Sequence, residues 1–330
     1  MALRLIEMVL KEKDSAEVSE LLKERKTLEH RHIRLTQGEV LVRILLDSKE
    51  SESVLDLLEK QYANKEGNRV VILPVEATLP RDEPEPVATP TKAPERISRE
   101  ELYENIKDAA RCSKVYLTMV ILSTIVASVG LQQNSVTIII GAMVIAPLLG
   151  PNIALALGTT LGDLTLLRRA LLTDLAGITT TIVLSIIIGA LIHVDPAVTE
   201  IVSNMRVGLG SILVALASGC AGALSFTTGV SAALIGVMVA VALLPPLVTF
   251  GLLLGSGYVD LSMVALSLFL MNLICINLAG VVTFLAQGIH PTTWLEKGHA
   301  AKATFIAISL WVVLLAALVG LILLLRKGLI

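Results

Sequence analysis

Long uncharged apolar stretches dominate the chain from residue 115 onward, whereas residues 1–114 carry short, mixed patterns. The longest uncharged run extends from Val115 to Gly162, which is long enough to cross a bilayer twice. Stretches of about 20 apolar residues predict seven membrane-spanning helices. Their predicted bounds are Val115–Leu131, Val136–Thr159, Ala170–Ile192, Val207–Phe226, Val230–Leu254, Leu261–Ala286 and Ala303–Leu325.

The second and fifth of these spans contain prolines in their interior. Gly141–Pro151 and Gly236–Pro246 align without gaps at an offset of 95 residues and share six of eleven residues. An interior proline lacks a backbone N–H donor and clashes with the preceding helical turn. We therefore expect both spans to be broken near the membrane centre, at Pro147–Pro151 and at Leu244–Pro246.

The positions of the two interrupted spans predict an inverted repeat. Three crossings separate them, so they run in opposite directions, and spans one to three correspond to spans four to six. Broken backbone at membrane depth persists only against protein or a water-filled cavity. Helix N-termini at such a break favour anions and C-terminal carbonyls favour cations, and the sequence is compatible with both.

Residues 1–75, which we call the head, show the patterns of a small α+β domain. The predicted order β-α-β-β-α-β is that of a ferredoxin-like unit. A domain of this size is only marginally stable alone, so we expect it to pair with a second copy. His30 and His32 alternate on a strand and are expected at the surface. The predicted elements are Leu3–Val9, Ser15–Lys26, Leu28–Leu35, Val40–Leu46, Ser53–Tyr62 and Arg69–Val75.

A linker and an amphipathic helix connect the head to the apolar region. Six prolines occur among charged residues from Pro74 to Pro94, which predicts an extended linker over residues 76–97. Ser98 followed by Glu101 is a capping-box pattern that starts a helix over residues 98–114. This helix either lies along the inner membrane surface or packs on the head as a solvated connector. The transmembrane domain is predicted to occupy residues 115–330.

Composition and charge sharpen this division. The chain is 54% hydrophobic, yet residues 1–114 contain 20 of its 27 basic and 23 of its 29 acidic side chains. The charged amphipathic N-terminus is unlike a signal peptide, so we expect a cytoplasmic head. Arg168-Arg169 then lies inside, as the positive-inside rule requires, whereas Arg326-Lys327 after a seventh span does not. A net charge of −2 gives no reason to expect nucleic acid.

The residues around the first interruption resemble a known family. The motif elements are Ser135-Val136-Thr137, Gly141-Ala142-Met143, Ile145-Ala146-Pro147-Leu148, Gly150-Pro151 and Gly162-Asp163. They resemble the uncharacterised hydrophobic domain family, domain of unknown function 389, over about residues 110–290. The resemblance implies a prokaryotic inner-membrane protein, often with a small N-terminal domain, and brings no established activity.

Asp174 is the most informative polar residue of the apolar region. A carboxylate within a span is costly unless it faces protein or water, so it is either a proton or cation ligand or an interfacial partner of Arg168 or Arg169. Amides in such helices serve as ligands or as interhelical contacts. The candidate substrate- or ion-binding residues are Pro147, Gly150, Pro151, Asn152, Asp174, Leu244, Pro245, Pro246, Asn272 and Asn277.

These features favour a transporter that moves a small solute or ion by alternating access at the broken helices, modulated by the head. A channel of the same architecture and a membrane-anchored sensor or scaffold are the alternatives. Leu161-Gly162-Asp163 is a fragment of the intramembrane aspartyl protease motif, but Asp163 and Asp174 flank one loop, so we do not expect an enzyme. Cys112, Cys220 and Cys275 lack metal or disulfide spacing, and we expect no metal or cofactor. The expected partners are membrane lipids, the transported solute or ion, and a second copy of the chain.

Overall fold

The chain divides into two compact units. The computed structural model describes residues 3–22, 27–35, 38–58, 61–62, 69–75, 78, 97–192, 194–228 and 232–290, with six positions beyond residue 300. The units are Met1–Leu102 and Tyr103–Ile330, and we call the second the helical unit. Their boundary falls inside a helix, whereas almost all of the predicted proline-rich linker lies outside the described residues.

The head is a four-stranded antiparallel sheet with two helices. The strand order is β2-β3-β1-β4, and each predicted strand is found within two residues of its expected bounds. The elements in chain order are β1 (Leu3–Lys11), α1 (Glu12–Leu22), β2 (Glu29–Arg34), β3 (Glu39–Asp47), α2 (Ser48–Leu58) and β4 (Val70–Val75).

The core of the head lies on one face of this sheet. Burial alternates along β1 and β3, because successive side chains of a strand point to opposite faces. Ile6 and Ile44, which are directly paired across β1 and β3, are fully buried. Val18 of α1 and Val54 of α2 join the same cluster, as their helical spacing predicts. His30 and His32 are exposed on β2, as expected.

Helix α3 (Arg99–Ala109) begins at the predicted cap. The backbone N–H of Glu101 donates to Ser98 Oγ at 3.3 Å, which is half of a capping box. The Glu101 carboxylate accepts two hydrogen bonds from Arg4 of β1, at 2.8 and 3.0 Å. Arg4 is only 8% exposed, so this bidentate ion pair compensates a buried charge. The first turn of α3 is therefore attached to the head.

The helical unit contains eight further helices among the described residues. Five are long and apolar enough to cross a membrane, and the bent pair α5–α6 raises the number to six, which indicates a membrane protein. The predicted seventh span, Ala303–Leu325, lies almost entirely outside the described residues. The helices are α4 (Lys114–Gln132), α5 (Val136–Ile145), α6 (Leu149–Leu161), α7 (Leu164–Leu191), α8 (Thr199–Ser203), α9 (Leu209–Thr228), α10 (Ala232–Gly255) and α11 (Val259–Ala286).

The first predicted break is present, between α5 and α6. The two helices are bent by 55° relative to each other. Ala146, which precedes Pro147, has an extended backbone with ψ of 120°, because a proline disfavours the helical conformation of the residue before it. Pro151 lies in the first turn of α6, where a missing N–H costs nothing, and so α6 continues through it.

The second predicted break is wrong, because α10 runs as one helix through Leu244, Pro245 and Pro246. At the offset of 95 residues, Ala242 stands where Pro147 ends α5, so the helix-terminating proline has no counterpart here. Pro246 also lacks the N–H group that would normally donate a hydrogen bond to the Ala242 carbonyl. Asn272 of α11 donates its amide to that carbonyl at 2.7 Å and thereby compensates the loss.

Small residues allow α7 and α10 to pack at close range. A Cβ atom added at Gly255 of α10 would collide with the carbonyl oxygen of Ile186, and one at Gly189 of α7 would collide with that of Leu252. Both obstacles are backbone atoms, which cannot rotate away. The contact between these two helices therefore depends on the absence of side chains at these glycines.

We expect Gly255→Ala to lower the free energy of unfolding of the detergent-solubilised protein by about 1–3 kcal/mol, as overpacking does elsewhere. Thermal unfolding followed by circular dichroism measures the change. Gly141 of α5 is the matched control, because a Cβ atom there meets nothing within 4 Å. Equal destabilisation by Gly141→Ala and Gly255→Ala would contradict the proposed close packing.

Candidate functional site

Asp174 is a buried carboxyl group without a basic partner. Among the described residues, Asp174 and Arg4 are the charged side chains that are buried, at 3% and 8% exposure. Arg4 has its ion pair with Glu101, whereas no ion pair forms at Asp174 within the described part of the chain. Asp174 lies ten residues into α7, on the face of that helix that packs against its neighbours. An unpaired carboxyl group in such surroundings has a function more often than a structural role.

Asn152 connects this carboxyl group to the helix break. Its Nδ2 donates to Asp174 Oδ1 at 3.2 Å and to the Leu148 carbonyl oxygen at 2.9 Å. Leu148 is the residue before α6, so the amide binds backbone at the break and the carboxyl group of α7 at once. Asn152 is 1% exposed. The break and the buried carboxyl group therefore belong to one structural feature.

Asn277 of α11 completes a chain of three polar side chains. Its Nδ2 donates to Asn152 Oδ1 at 3.0 Å and to the Leu273 carbonyl oxygen at 2.9 Å. Asp174, Asn152 and Asn277 come from α7, α6 and α11, and we call them the polar cluster. All three were candidate residues on sequence grounds, and the fold brings them together across up to 125 positions of sequence.

Two oxygen atoms near the polar cluster have no hydrogen-bond partner among the described residues. They are Oδ1 of Asn277, whose residue is fully buried, and the hydroxyl oxygen of Tyr116, whose residue is 6% exposed. The Tyr116 hydroxyl lies directly against Gly177, one turn after Asp174 on α7, where a Cβ atom would collide with it. Buried polar atoms are normally paired, so two unpaired oxygens in one region indicate a site for a ligand.

Most of the chain is similar to a known protein. The family model for the domain of unknown function DUF389 matches residues 143–278. Uncharacterized protein MJ0678 of Methanocaldococcus jannaschii is 43% identical over 281 residues, which cover 85% of this chain and 87% of that protein. The chain belongs to the DUF389 family. No solved structure matches it.

The family match spans the break and the polar cluster. Residues 143–278 include Asn152, Asp174 and Asn277, whereas Tyr116 lies before the matched region. The archaeal relative extends the similarity over most of the chain. Neither match carries an activity, so the functional argument rests on the geometry of these residues.

The remaining candidate residues have structural roles. Gly150 allows the end of α3 to pack closely against α6, because a Cβ atom at this position would collide with the Ala109 carbonyl oxygen. Thr173 Oγ1 donates to the carbonyl oxygen of Ala110 at 2.9 Å, on the other side of the same helix end. Asn272 binds the Ala242 carbonyl and makes no hydrogen bond to the polar cluster within the described chain. The prolines and Leu244 of α10 are buried, and the described part of the chain offers them no polar contact.

The expected pairing of Asp174 with Arg168 or Arg169 is not found in the described structure. Arg169 precedes Asp174 by five residues and Arg168 precedes it by six, which places them about 140° and 120° away from Asp174 around the helix. Arg168 is exposed and Asp174 is buried, so the two occupy different faces of α7. The described structure therefore gives no support to Asp174 as an interfacial partner of these arginines.

Asp163 is the N-cap residue of α7. Its Oδ1 accepts from the backbone N–H groups of Thr165 and Leu166 at 2.8 and 3.1 Å, at the start of α7. Tyr103 of α3 donates its hydroxyl to the other oxygen at 2.7 Å. Burial raises the pKa of Tyr103 to about 12, and this hydrogen bond contributes to the increase to a smaller extent. Asp163 lies about 16 Å along the helix axis from Asp174, by the helical rise per residue.

Sequence reasoning missed Tyr116 and Thr173. Thr124 and Ser128 of the first span donate to backbone carbonyls of their own helix at 2.8 Å, as hydroxyl side chains in helices commonly do. Tyr116 was overlooked because it lies in the first turn of α4, where an aromatic residue is typical of a membrane interface. A glycine one turn from a buried acid, as Gly177 is, could have indicated close approach by another group.

We expect Asn152→Ala to lower the free energy of unfolding by about 1–3 kcal/mol, because it leaves Asp174 and Asn277 without their shared partner. A double-mutant cycle with Asn277→Ala measures the coupling, and neighbours in one network deviate from additivity by about 0.5–3 kcal/mol. Asn204, whose amide donates to the Glu200 carbonyl of α8, is the control for the same substitution. Strict additivity of Asn152→Ala and Asn277→Ala would contradict the hydrogen-bonded chain.

Proposed function

We propose that the protein is a membrane transporter for a small solute or ion, with the polar cluster at its binding site. The observation that carries this proposal is Asp174, a buried carboxyl group hydrogen-bonded to Asn152 at a helix break. A structural protein gains nothing from a lone carboxyl group in an apolar interior, where burying a charge is costly. A proton or ion that binds and leaves would explain why the group is there.

The break provides the conformational freedom that transport requires. Met143 contributes a carbonyl group whose usual helical donor does not exist, because the residue four positions further on is Pro147. Asn152 restrains the α6 side of the break through Leu148 and also binds Asp174. A change in the protonation or ligation of Asp174 would therefore alter a restraint on the broken backbone. In the proposed cycle, α5 and α6 rearrange about residues 146–148 and expose the polar cluster to alternate sides.

Element boundaries support an inverted repeat as the basis of this movement. Helices α4 and α9 begin at residues 114 and 209, and α7 and α11 begin at residues 164 and 259. Both intervals are 95 residues, the offset of the aligned sequence motifs, and α7 and α11 both have 28 residues. Gly162 and Gly257, also 95 residues apart, both end a helix with positive φ, of 67° and 86°.

The helix contacts support the same proposal. Helix α7 packs on α10, and α11 packs on α6, so the third span of each half contacts the proline-containing span of the other half. Within each half, the first span contacts the third span: α4 contacts α7, and α9 contacts α11. This reciprocal pattern is expected of two halves related by a pseudo-two-fold axis in the membrane plane.

We propose that the head is a ferredoxin-like regulatory domain on the cytoplasmic side of a cell membrane. The sheet order β2-β3-β1-β4 with two helices on one face supports the fold. The positive-inside rule supports the location, through Arg168 and Arg169 at the start of α7. Helix α3 supports the regulation: its first turn is paired with Arg4, and its last turn contacts Gly150 and Thr173, which adjoin the polar cluster.

A channel of the same architecture and a membrane-anchored sensor are the rival functions. A transporter saturates with substrate and is accelerated by substrate on the opposite side, whereas a channel does neither. A sensor would keep its output when Asp174 is neutralised and lose it when the head is removed. The dependence of flux on Asp174 therefore separates the first proposal from the third.

We expect Asp174→Asn to abolish flux, because the amide keeps the shape of the carboxyl group and loses its charge and its titration. The measurement uses proteoliposomes that contain a pH-sensitive dye, with imposed gradients of protons, Na⁺ or K⁺, and radioactive Na⁺ and Rb⁺ as tracers. Asp260→Asn is the matched control, because Asp260 is an exposed carboxyl group in the first turn of α11.

Control flux at the parent level in Asp260→Asn, with no flux in a folded Asp174→Asn, is the expected result. Parent flux with unchanged pH dependence in Asp174→Asn would remove Asp174 from the site. Absence of any flux in the parent protein for all three ions would limit the proposal to neutral or organic solutes.

We further propose that the protein forms a homodimer through the open face of the head sheet. This face lies opposite the helices and bears an ion pair between Arg43 and Glu7, 2.7 Å apart, on its two central strands. Because the face carries both signs of charge, a second copy rotated by 180° offers complementary groups. The apolar residues of the open face are Leu3, Leu5, Val9, Ile33, Leu41, Leu45, Val71, Leu73 and Val75.

We expect Leu5→Glu to convert the dimer into a monomer, because Leu5 lies between Leu45 and Leu73 near the middle of the open face. Multi-angle light scattering of the detergent-solubilised protein measures the mass. His32→Glu, an exposed position of β2 on the opposite face, is the control. A monomeric parent at all workable concentrations, or a Leu5→Glu variant that remains dimeric, would refute this interface.

A further inference from the structure

We infer that the polar cluster, together with Tyr116, is a binding site for an alkali-metal cation. This inference rests on the proposed transport function and names the chemical class of the ion that the site takes. Three features support it: the buried oxygen atoms near Asp174, the direction in which the amide groups donate, and the charge of the site.

The oxygen atoms are of the kind that hard cations prefer. Carboxylate, amide carbonyl, backbone carbonyl and hydroxyl oxygens are present in Asp174, Asn152, Asn277, Leu148 and Tyr116. Hard cations bind such oxygens, whereas the soft thiolate ligands of other metals are absent from this group. The helix break contributes to the set, because carbonyl groups near an interrupted helix are available to an ion.

The amide of Asn277 leaves its oxygen available. Both N–H bonds of its Nδ2 are used, one toward Asn152 Oδ1 and one toward the Leu273 carbonyl. The orientation of the amide is therefore fixed by two acceptors, and Oδ1 is the atom that remains. A fully buried acceptor without a donor costs about 1–3 kcal/mol. A bound cation would offset that cost.

Tyr116 provides an independent indication. Its hydroxyl oxygen is buried and unpaired, and it lies against α7 at Gly177, three residues after Asp174. Glycine at position 177 allows the hydroxyl group to reach this depth, since any side chain would occupy its place. The ring and the carboxyl group approach from two different helices, α4 and α7. A shared ligand between them is the simplest reason for both to be buried.

A proton alone would satisfy fewer of these groups. Protonation of Asp174 neutralises its charge and supplies one donor, which can pair with only one of the two oxygens that lack a partner among the described residues, Asn277 Oδ1 and the Tyr116 hydroxyl. A metal cation contacts several oxygens at once and neutralises the carboxylate in the same step. The charge of the ion follows from the site: one carboxylate balances a monovalent cation, whereas a divalent cation would leave a net positive charge in an apolar interior.

Cation binding can be measured without any transport assay. A ligand that binds only the folded state raises its stability by mass action. Thermal unfolding of the purified full-length protein in detergent is followed in LiCl, NaCl or KCl titrations, with choline chloride keeping the ionic strength constant. We expect at least one alkali cation to raise the unfolding temperature in a saturable manner, while choline does not.

Variants then identify the site. Asp174→Asn should abolish the cation-dependent increase, and Tyr116→Phe and Asn277→Ala should each weaken the apparent affinity about 10- to 100-fold, as loss of one contributing group does at other metal sites. Tyr258→Phe, at the start of α11, is the matched control and should leave the affinity unchanged. The unfolding transition of each variant in choline chloride alone is its own baseline, so loss of binding is separated from loss of folding.

The outcomes separate this inference from the transport proposal. Equal stabilisation by choline and all three alkali cations, or parent affinity in both Tyr116→Phe and Asn277→Ala, would overturn the cation site. Flux that depends on Asp174 and on pH, without any alkali-cation stabilisation, would support transport by protons and refute the cation site. Saturable, variant-sensitive cation binding without flux would support the site and refute the transport proposal.

Discussion

The structure of the helical unit depends on one constraint: polar groups inside an apolar interior must find partners within the protein, because no water is present to replace them. Pro147 creates the demand by ending α5 and freeing backbone carbonyl groups. Asn152 binds the backbone on the α6 side of this break through Leu148, and this bond fixes the amide that then reaches Asp174 and Asn277. The break, the carboxyl group and the amide of a distant helix are thus joined by one set of hydrogen bonds.

The same constraint accounts for the tolerance of Pro246 inside α10. Proline in a helix is tolerated when another group satisfies the freed carbonyl, and Asn272 does this for Ala242. Asn272 and Asn277 lie five residues apart on α11 and serve different purposes, one repairing a helix and the other joining the polar cluster. Sequence patterns alone predict both as candidate binding residues, because that prediction depends only on the residue type and on the apolar surroundings.

Local patterns predicted the elements of this protein well, and tertiary geometry set the limits of prediction. Strand alternation located β1 to β4, and the serine at position 98 located the start of α3. The partner of Glu101 was not predictable, since its carboxylate binds Arg4, 97 residues away, instead of completing the capping box. The break at Pro147 followed from one residue.

The meeting of Asp174, Asn152 and Asn277 required the rotation of three helices, which the composition of an almost uniformly apolar helix does not encode. Tyr116 illustrates this limit best. Its position in the first turn of α4 is that of an ordinary interfacial aromatic residue. Only the approach of α4 to Gly177 of α7 brings its hydroxyl close to the buried acid.

The proposed repeat is symmetric in its backbone and asymmetric in its chemistry. At the offset of 95 residues, Asp174 corresponds to Phe269 and Asn152 corresponds to Leu247, both buried apolar residues. One half therefore supplies the carboxyl group and the break, and the other half supplies a continuous helix and the amide of Asn277. Two chemically equal halves would hold two polar clusters, whereas these halves form one polar cluster at their contact. In the proposed cycle, the single buried carboxyl group would carry one compensating charge per chain, and movement of one half against the other would present that same group to each side in turn.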